Sequence, residues 1–235
     1  MHIPSNRFIA LMGNIAAGKS TLADCLATLI RCIVFHEPVG EVKPLLDAFY
    51  ANEPDSATQL QLAFLTARTK ILDAIRNTLP THTVIMDRTI YEDMLFTIAQ
   101  VLSGRISRPW WDVYKTLFTV LVSFMPQPDV IVYLQTRPGV CLERYHSRGR
   151  DGETLGLDYL EFLDVLYSVL AERLPPDRLC VVPYDELNPI SCSDDLTKVL
   201  CLIEAHCTRY PNPTAIVIDP EELLVACREK AERTK

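Results

Sequence analysis

Phe8-Ile-Ala-Leu-Met-Gly13-Asn-Ile-Ala-Ala-Gly18-Lys19-Ser20-Thr21 is the stretch that decides the fold of this chain. An apolar run of strand character leads into Gly-x-x-x-x-Gly-Lys-Ser, and helix-forming residues follow. The phosphate-loop motif matches at every fixed position and sits where it should, between a strand and a helix. Gly13 and Gly18 let the backbone wrap with its N–H groups pointing inward. The helix behind adds the partial positive charge of its N-terminus. Lys19 brings a point charge to the β- and γ-phosphates, and Ser20 offers a hydroxyl to Mg²⁺. Gly13, Asn14, Ile15, Ala16, Ala17, Gly18, Lys19, Ser20 and Thr21 are therefore expected to bind a nucleoside triphosphate. The acceptor stays open, because ATPases, GTPases and small-molecule kinases share the loop.

Four further runs resemble the first: residues 30–36, 82–87, 129–135 and 178–184. All are rich in Ile, Val and Leu without clean alternation, as strands buried on both faces of a parallel sheet are. Helical stretches separate them, over 19–27, 57–79, 90–102, 111–123, 139–146, 157–173 and 194–206. Alternating strands and helices predict a P-loop three-layer α/β/α fold, with a five-stranded parallel sheet and right-handed crossovers. Pro44, Pro80, Pro109, Pro126, Pro138 and the Pro175–Pro176 pair are read as element ends. Residues 1–207 read as one domain. Residues 208–235 read as a C-terminal extension of unknown role, with a possible strand at 215–218 and a charged helix at 221–233.

Composition bounds the partners. The chain has 235 residues, 49% apolar and 23% charged, which excludes global disorder. A formal charge of −7 argues against a nucleic-acid polymer as partner. No apolar run approaches the ~18 residues needed to span a bilayer, so no membrane partner is expected. The eight cysteines contain no Cys-x-x-Cys. They read as small core hydrophobes in a reducing compartment. With no basic leader before the first strand, the expected location is cytoplasmic.

Several residues narrow the acceptor. The run at 82–87 ends in Asp87-Arg88, at the sheet edge beside the phosphate loop. Asp87 could hold Mg²⁺ with Ser20, and Arg88 could face the transferred phosphoryl group. The run at 30–36 ends in Glu37-Pro38, where a carboxylate could take the proton of an attacking hydroxyl. Arg144-Tyr-His-Ser-Arg148-Gly-Arg150-Asp-Gly-Glu153 is the most basic stretch. It suits a helical lid, about 144–154, that closes on a triphosphate.

These motifs, in this order, resemble the deoxynucleoside kinases. The likeness runs from Phe8 to about Asp185 and adds Glu37-Pro38-Val39, Tyr50, Gln61 and the block from Asp87 to Asp93. The resemblance implies ATP and a deoxynucleoside as partners, Mg²⁺ as cofactor, and transfer to the 5′-hydroxyl. Glu37 resembles the general base, and Arg88 the arginine beside that hydroxyl. Tyr50 and Glu153 resemble the pair at the 3′-hydroxyl, and Gln61 the reader of the base edge. Arg144, Arg148 and Arg150 resemble the lid arginines. Arg68 and Asp93 match a polar pair deep in the base pocket, and Phe64 lies one turn from Gln61. Leu60 and Thr97 stand where relatives place aromatics. The polar pair favours deoxyadenosine, deoxyguanosine or deoxycytidine over thymidine. The family is commonly dimeric, so a homodimer is expected through Trp110, Trp111 and the faces at 95–102 and 114–122.

Two other readings stay open. A nucleoside monophosphate kinase of the thymidylate kinase type shares sheet, loop and lid, although Glu37 would repel an acceptor that already carries phosphate. A non-catalytic ATP-binding subunit of the same fold is the other.

Overall fold

The computed structural model describes residues 6–148 and 155–234. Five strands form one parallel sheet in the order β2-β3-β1-β4-β5: β1 (Phe8–Met12), β2 (Cys32–Phe35), β3 (Thr83–Asp87), β4 (Val130–Gln135) and β5 (Leu179–Pro183). Each lies within two residues of its expected run. The missing alternation has its reason in the packing. Along β1, Phe8, Ala10 and Met12 enter one core while Ile9 and Leu11 enter the other.

Helices cover both faces. One core takes side chains from α3 (Ser56–Thr78), α4 (Ile90–Leu102), α5 (Arg108–Ser123), α7 (Leu157–Arg173) and α9 (Pro220–Thr234). The other takes α1 (Lys19–Leu29), α6 (Pro138–Arg148) and α8 (Ser193–Arg209). Cys141, Cys180, Cys207 and Cys227 are buried as small apolar groups, while Cys201 is exposed. Among the described residues no helix is long and apolar enough to cross a membrane.

The structure differs from the sequence reading in four places. Val39–Tyr50 forms an unexpected helix, α2, with Pro44 inside it. Gly40, whose carbonyl loses its helical donor at Pro44, is exposed and open to water, as is Pro44 itself. α5 starts at Arg108 rather than residue 111, because Pro109 fits its first turn. Residues 215–218 are not a strand: the Gln127 amide donates to the Ile216 carbonyl at 2.9 Å and accepts its N–H at 2.8 Å, so no ladder is needed. Finally, Trp111 does not face outward. It is fully buried, and its indole donates to Glu221 of α9 at 3.0 Å. Most of residues 95–102 is buried too. The exposed apolar line runs along the other side of α5, through Trp110, Val113, Leu117 and Val120 to Phe124.

Candidate active site

The loop between β1 and α1 begins at the carboxyl end of the central strand. Gly18 has φ 109°, and a Cβ there would lie 2.9 Å from the Tyr184 ring, so only glycine fits. Lys19 is buried, and its ammonium donates to the carbonyls of Gly13 at 2.6 Å and Asn14 at 2.9 Å. Burial, with Arg88 nearby, lowers its pKa to about 8. Asn14 is buried and ties the loop to α7 by donating to the Leu160 carbonyl at 2.9 Å. Ile15, Ala16, Gly18, Lys19 and Ser20 line a cavity of about 650 Å³. The Ser20 hydroxyl donates to Asp87 Oδ2 at 2.5 Å, while Asp87 Oδ1 is buried with no hydrogen-bond partner among the described residues.

The opposite wall holds two arginines. Arg88 has φ 75°, a left-handed conformation uncommon for a side-chain-bearing residue. That turn brings its Nε to 2.6 Å from Glu37 Oε1, an ion contact without the alignment of a hydrogen bond. Its guanidinium also lies 4.6 Å from the Phe96 ring centre. Burial opposes the charge on Arg88, but Glu37, Tyr167 and Glu92 outweigh it and raise its pKa. Arg68 is fully buried and grips Asp93 with two bonds, at 3.0 and 3.1 Å. A third bond reaches the Asp87 carbonyl at 3.2 Å, and Arg68 Nη2 lies 3.6 Å from Glu37 Oε1. Glu37 therefore stands between two guanidinium groups, partly open to the cavity.

Tyr50, Leu60, Gln61, Phe64, Asp93 and Arg148 line the same cavity. Arg144 is placed differently from a simple phosphate ligand. It donates to the Ala17 carbonyl at 2.9 Å and to the Tyr184 and Asp185 carbonyls at 3.0 and 3.1 Å, bracing the loop from outside. Arg150 and Glu153 lie outside the described residues.

Thr97 does not line the cavity, whereas some residues that do were not foreseen. Thr97 is buried, and its hydroxyl donates to the Asp93 carbonyl at 2.9 Å. Phe96 takes the aromatic place in the cavity instead. It stands three residues from Asp93 on one helical face, a signal the spacing could have given. Phe49, Gln100, Arg105 and Tyr159 complete the far end. Arg105 donates to the Phe49 carbonyl at 2.9 Å and stacks 3.9 Å over its ring centre.

Comparison with known proteins identifies the family. The family model for deoxynucleoside kinases matches residues 9–232. The chain belongs to the deoxynucleoside kinase family. It is thus an enzyme of nucleoside phosphorylation. It is 31% identical to a deoxyguanosine kinase of Lactobacillus johnsonii, over 84% of this chain and 91% of that one. It is 33% identical to the deoxyadenosine/deoxycytidine kinase of Bacillus subtilis, over 80% and 88%. A deoxyguanosine kinase of Dictyostelium discoideum is 34% identical over 69% of this chain, which spans 58% of that protein. Among solved structures, deoxyadenosine kinase from M. mycoides with products dCMP and a flexible dCDP bound superimposes with a TM-score of 0.74. The identity is 25%, over 84% of this chain and 98% of that one.

Proposed function

We propose that this enzyme transfers the terminal phosphoryl group of ATP to the 5′-hydroxyl of a deoxynucleoside, with deoxyadenosine, deoxyguanosine or deoxycytidine favoured over thymidine. The observation that carries this reading is Glu37, a carboxylate between Arg68 and Arg88, facing the cavity that Lys19 and Ser20 also line. A carboxylate there suits deprotonation of a hydroxyl and repels an acceptor that already carries phosphate. Arg88 and Lys19 meet the charge on the transferred group from opposite sides. Gln61 reads the base edge between Leu60 and Phe64, with the Arg68–Asp93 pair behind. Tyr50 and Glu153 hold the 3′-hydroxyl. Arg148 and Arg150 close on the triphosphate, and Arg144 helps by bracing the loop. The relatives named as deoxyguanosine and deoxyadenosine kinases support the choice of bases.

Ser20 and Asp87 suit the Mg²⁺ that travels with the triphosphate, since Asp87 Oδ1 is a buried oxygen with no hydrogen-bond partner among the described residues. The ion would neutralise phosphate charge when bound. We also propose a homodimer through the exposed apolar line on α5, and a cytoplasmic location, which suits cysteines that are all unpaired.

The test is a phosphate-transfer assay with Mg-ATP against the four deoxynucleosides and the four deoxynucleoside monophosphates. Conversion of deoxyadenosine, deoxyguanosine or deoxycytidine to its 5′-monophosphate, with Glu37→Ala nearly inactive, is the expected result. Turnover of a monophosphate alone would refute it.

A further inference from the structure

Glu92 and Tyr167 are fully buried polar groups to which the reading above gives no role. Glu92 sits in the first turn of α4, and part of its bonding is ordinary. Its Oε2 accepts the Thr89 N–H at 2.6 Å while its own N–H reaches the Thr89 hydroxyl at 3.3 Å, a capping box. A capping box uses one carboxylate oxygen. The other, Oε1, reaches two more elements: it accepts the Gly13 N–H at 3.2 Å and the Tyr167 hydroxyl at 2.9 Å. Arg88 completes the cluster, with its Nη1 3.4 Å from the Tyr167 oxygen and 3.8 Å from Glu92 Oε1.

We propose that Glu92 and Tyr167 are positioning residues that fix the Arg88 guanidinium relative to the phosphate loop. This rests on the functional reading of Arg88 given above. Each bond has one direction: Arg88 donates to Tyr167, and Tyr167 donates to Glu92, which also accepts from the loop at Gly13. Burial and the neighbouring Glu92 push the Tyr167 phenol well above its ordinary pKa, so the hydroxyl keeps its proton. The Tyr167 ring is itself fixed, stacked on Tyr133 of β4 at 6.2 Å between centres. The same helix is anchored to the loop two turns earlier, where Leu160 accepts from Asn14. α7 therefore sets both the loop and Arg88 in one frame. The transferred phosphoryl group passes between those two, and an error of about 1 Å in their spacing can cost on the order of a hundredfold in rate.

Tyr167→Phe isolates the effect, because it removes one oxygen and keeps the stacked ring. The expected result is a kcat lower by roughly tenfold to a hundredfold. The KM for ATP stays within about twofold and the melting temperature within a few degrees, whereas a purely structural role would lower melting and spare kcat. The double variant with Glu92→Gln should fall little further than the worse single change, because both act through Arg88. A second readout needs no turnover: ¹⁵N NMR of the Arg88 guanidinium, assigned with Arg88→Lys, should show slow Nη exchange in the wild type and faster exchange in Tyr167→Phe. An active wild type with Tyr167→Phe within twofold of its kcat, or unchanged guanidinium exchange, overturns the proposal. A wild type that phosphorylates no deoxynucleoside refutes the functional reading instead, and the NMR experiment then still decides whether Tyr167 holds Arg88.

Discussion

The Arg68–Asp93 pair offers the sharpest test of the acceptor pocket, and Asp93→Ala is the perturbation. Arg68 is fully buried and Asp93 nearly so, with two bonds between them. Removing one partner of such a pair leaves an uncompensated buried charge, at a cost of about 3–5 kcal/mol. Arg68 keeps its bond to the Asp87 carbonyl and lies 3.6 Å from Glu37, so the low end of that range, about 3 kcal/mol, applies. In a domain of this size each kcal/mol moves the melting temperature by about 2–4 °C, so a fall of roughly 6–12 °C is expected. Replacing both partners with apolar groups should behave differently, because desolvation of an ion pair offsets much of its attraction. Arg68→Met with Asp93→Leu should regain most of the lost stability while losing discrimination between deoxyadenosine and thymidine. Scanning fluorimetry reads the first effect, and the ratio of kcat/KM values for the two nucleosides reads the second. If Asp93→Ala melts within about 2 °C of wild type, or the double variant is no more stable than the single, the pair does not carry the energetics assigned to it.

Two further predictions concern the ends of the cavity. Lys19 has a pKa lowered to about 8, so it sheds its proton at a lower pH than an exposed lysine. A bound triphosphate restores the charge, and ATP binding should take up about half a proton at pH 8 and nearly one at pH 9. Calorimetry in buffers of different ionisation enthalpy measures this, and no uptake at pH 9 would contradict it. At the far end, α2 packs chiefly on α3 through a small separate cluster, and Arg105 latches its last turn beside Tyr50. Arg105→Met removes a hydrogen bond and a cation–π contact worth together about 1–2 kcal/mol. The nucleoside KM should rise about fivefold to thirtyfold with the ATP KM unchanged, and steady-state kinetics would expose an equal rise in both as the wrong result.

The strands and the phosphate loop were legible because local sequence determines them. A strand buried on both faces has an unbroken apolar run, and the loop needs its glycines at fixed places. α2 was missed because Pro44 reads as a breaker, although Val42, Leu45, Leu46 and Phe49 stand at helical spacing and pack against Leu60 and Ala67 of α3. Glu37, Asp87 and Arg88 stood out because each lies at or just past the end of a strand, where side chains converge at one sheet edge. Tyr167 and Arg105 carried no such mark. A tyrosine in an apolar helix reads as core, and an arginine in a short connection reads as solvated surface. What gives them a place is contact with elements 79 and 56 residues away in the chain, which only the fold supplies.

The strand order sets where the proposed donor and acceptor sites fall. β3 lies between β2 and β1, with Met86 beside Phe35 and Asp87 beside Leu11. Neighbouring strands are about 4.8 Å apart, so the loop after β1 and Glu37 after β2 are separated by about 10 Å of sheet. The end of β3 fills that gap, and its last residue and the one after it serve opposite neighbours. Asp87 bonds back to Ser20 on the donor side. Arg88, turned by its positive φ, swings to Glu37 on the acceptor side. An ordinary extended residue would keep following the strand and leave the carboxylate with Arg68 alone. The strained backbone at Arg88 is therefore what joins the two half-sites, and the buried bonds from Glu92 and Tyr167 lie against the residue that bears the strain.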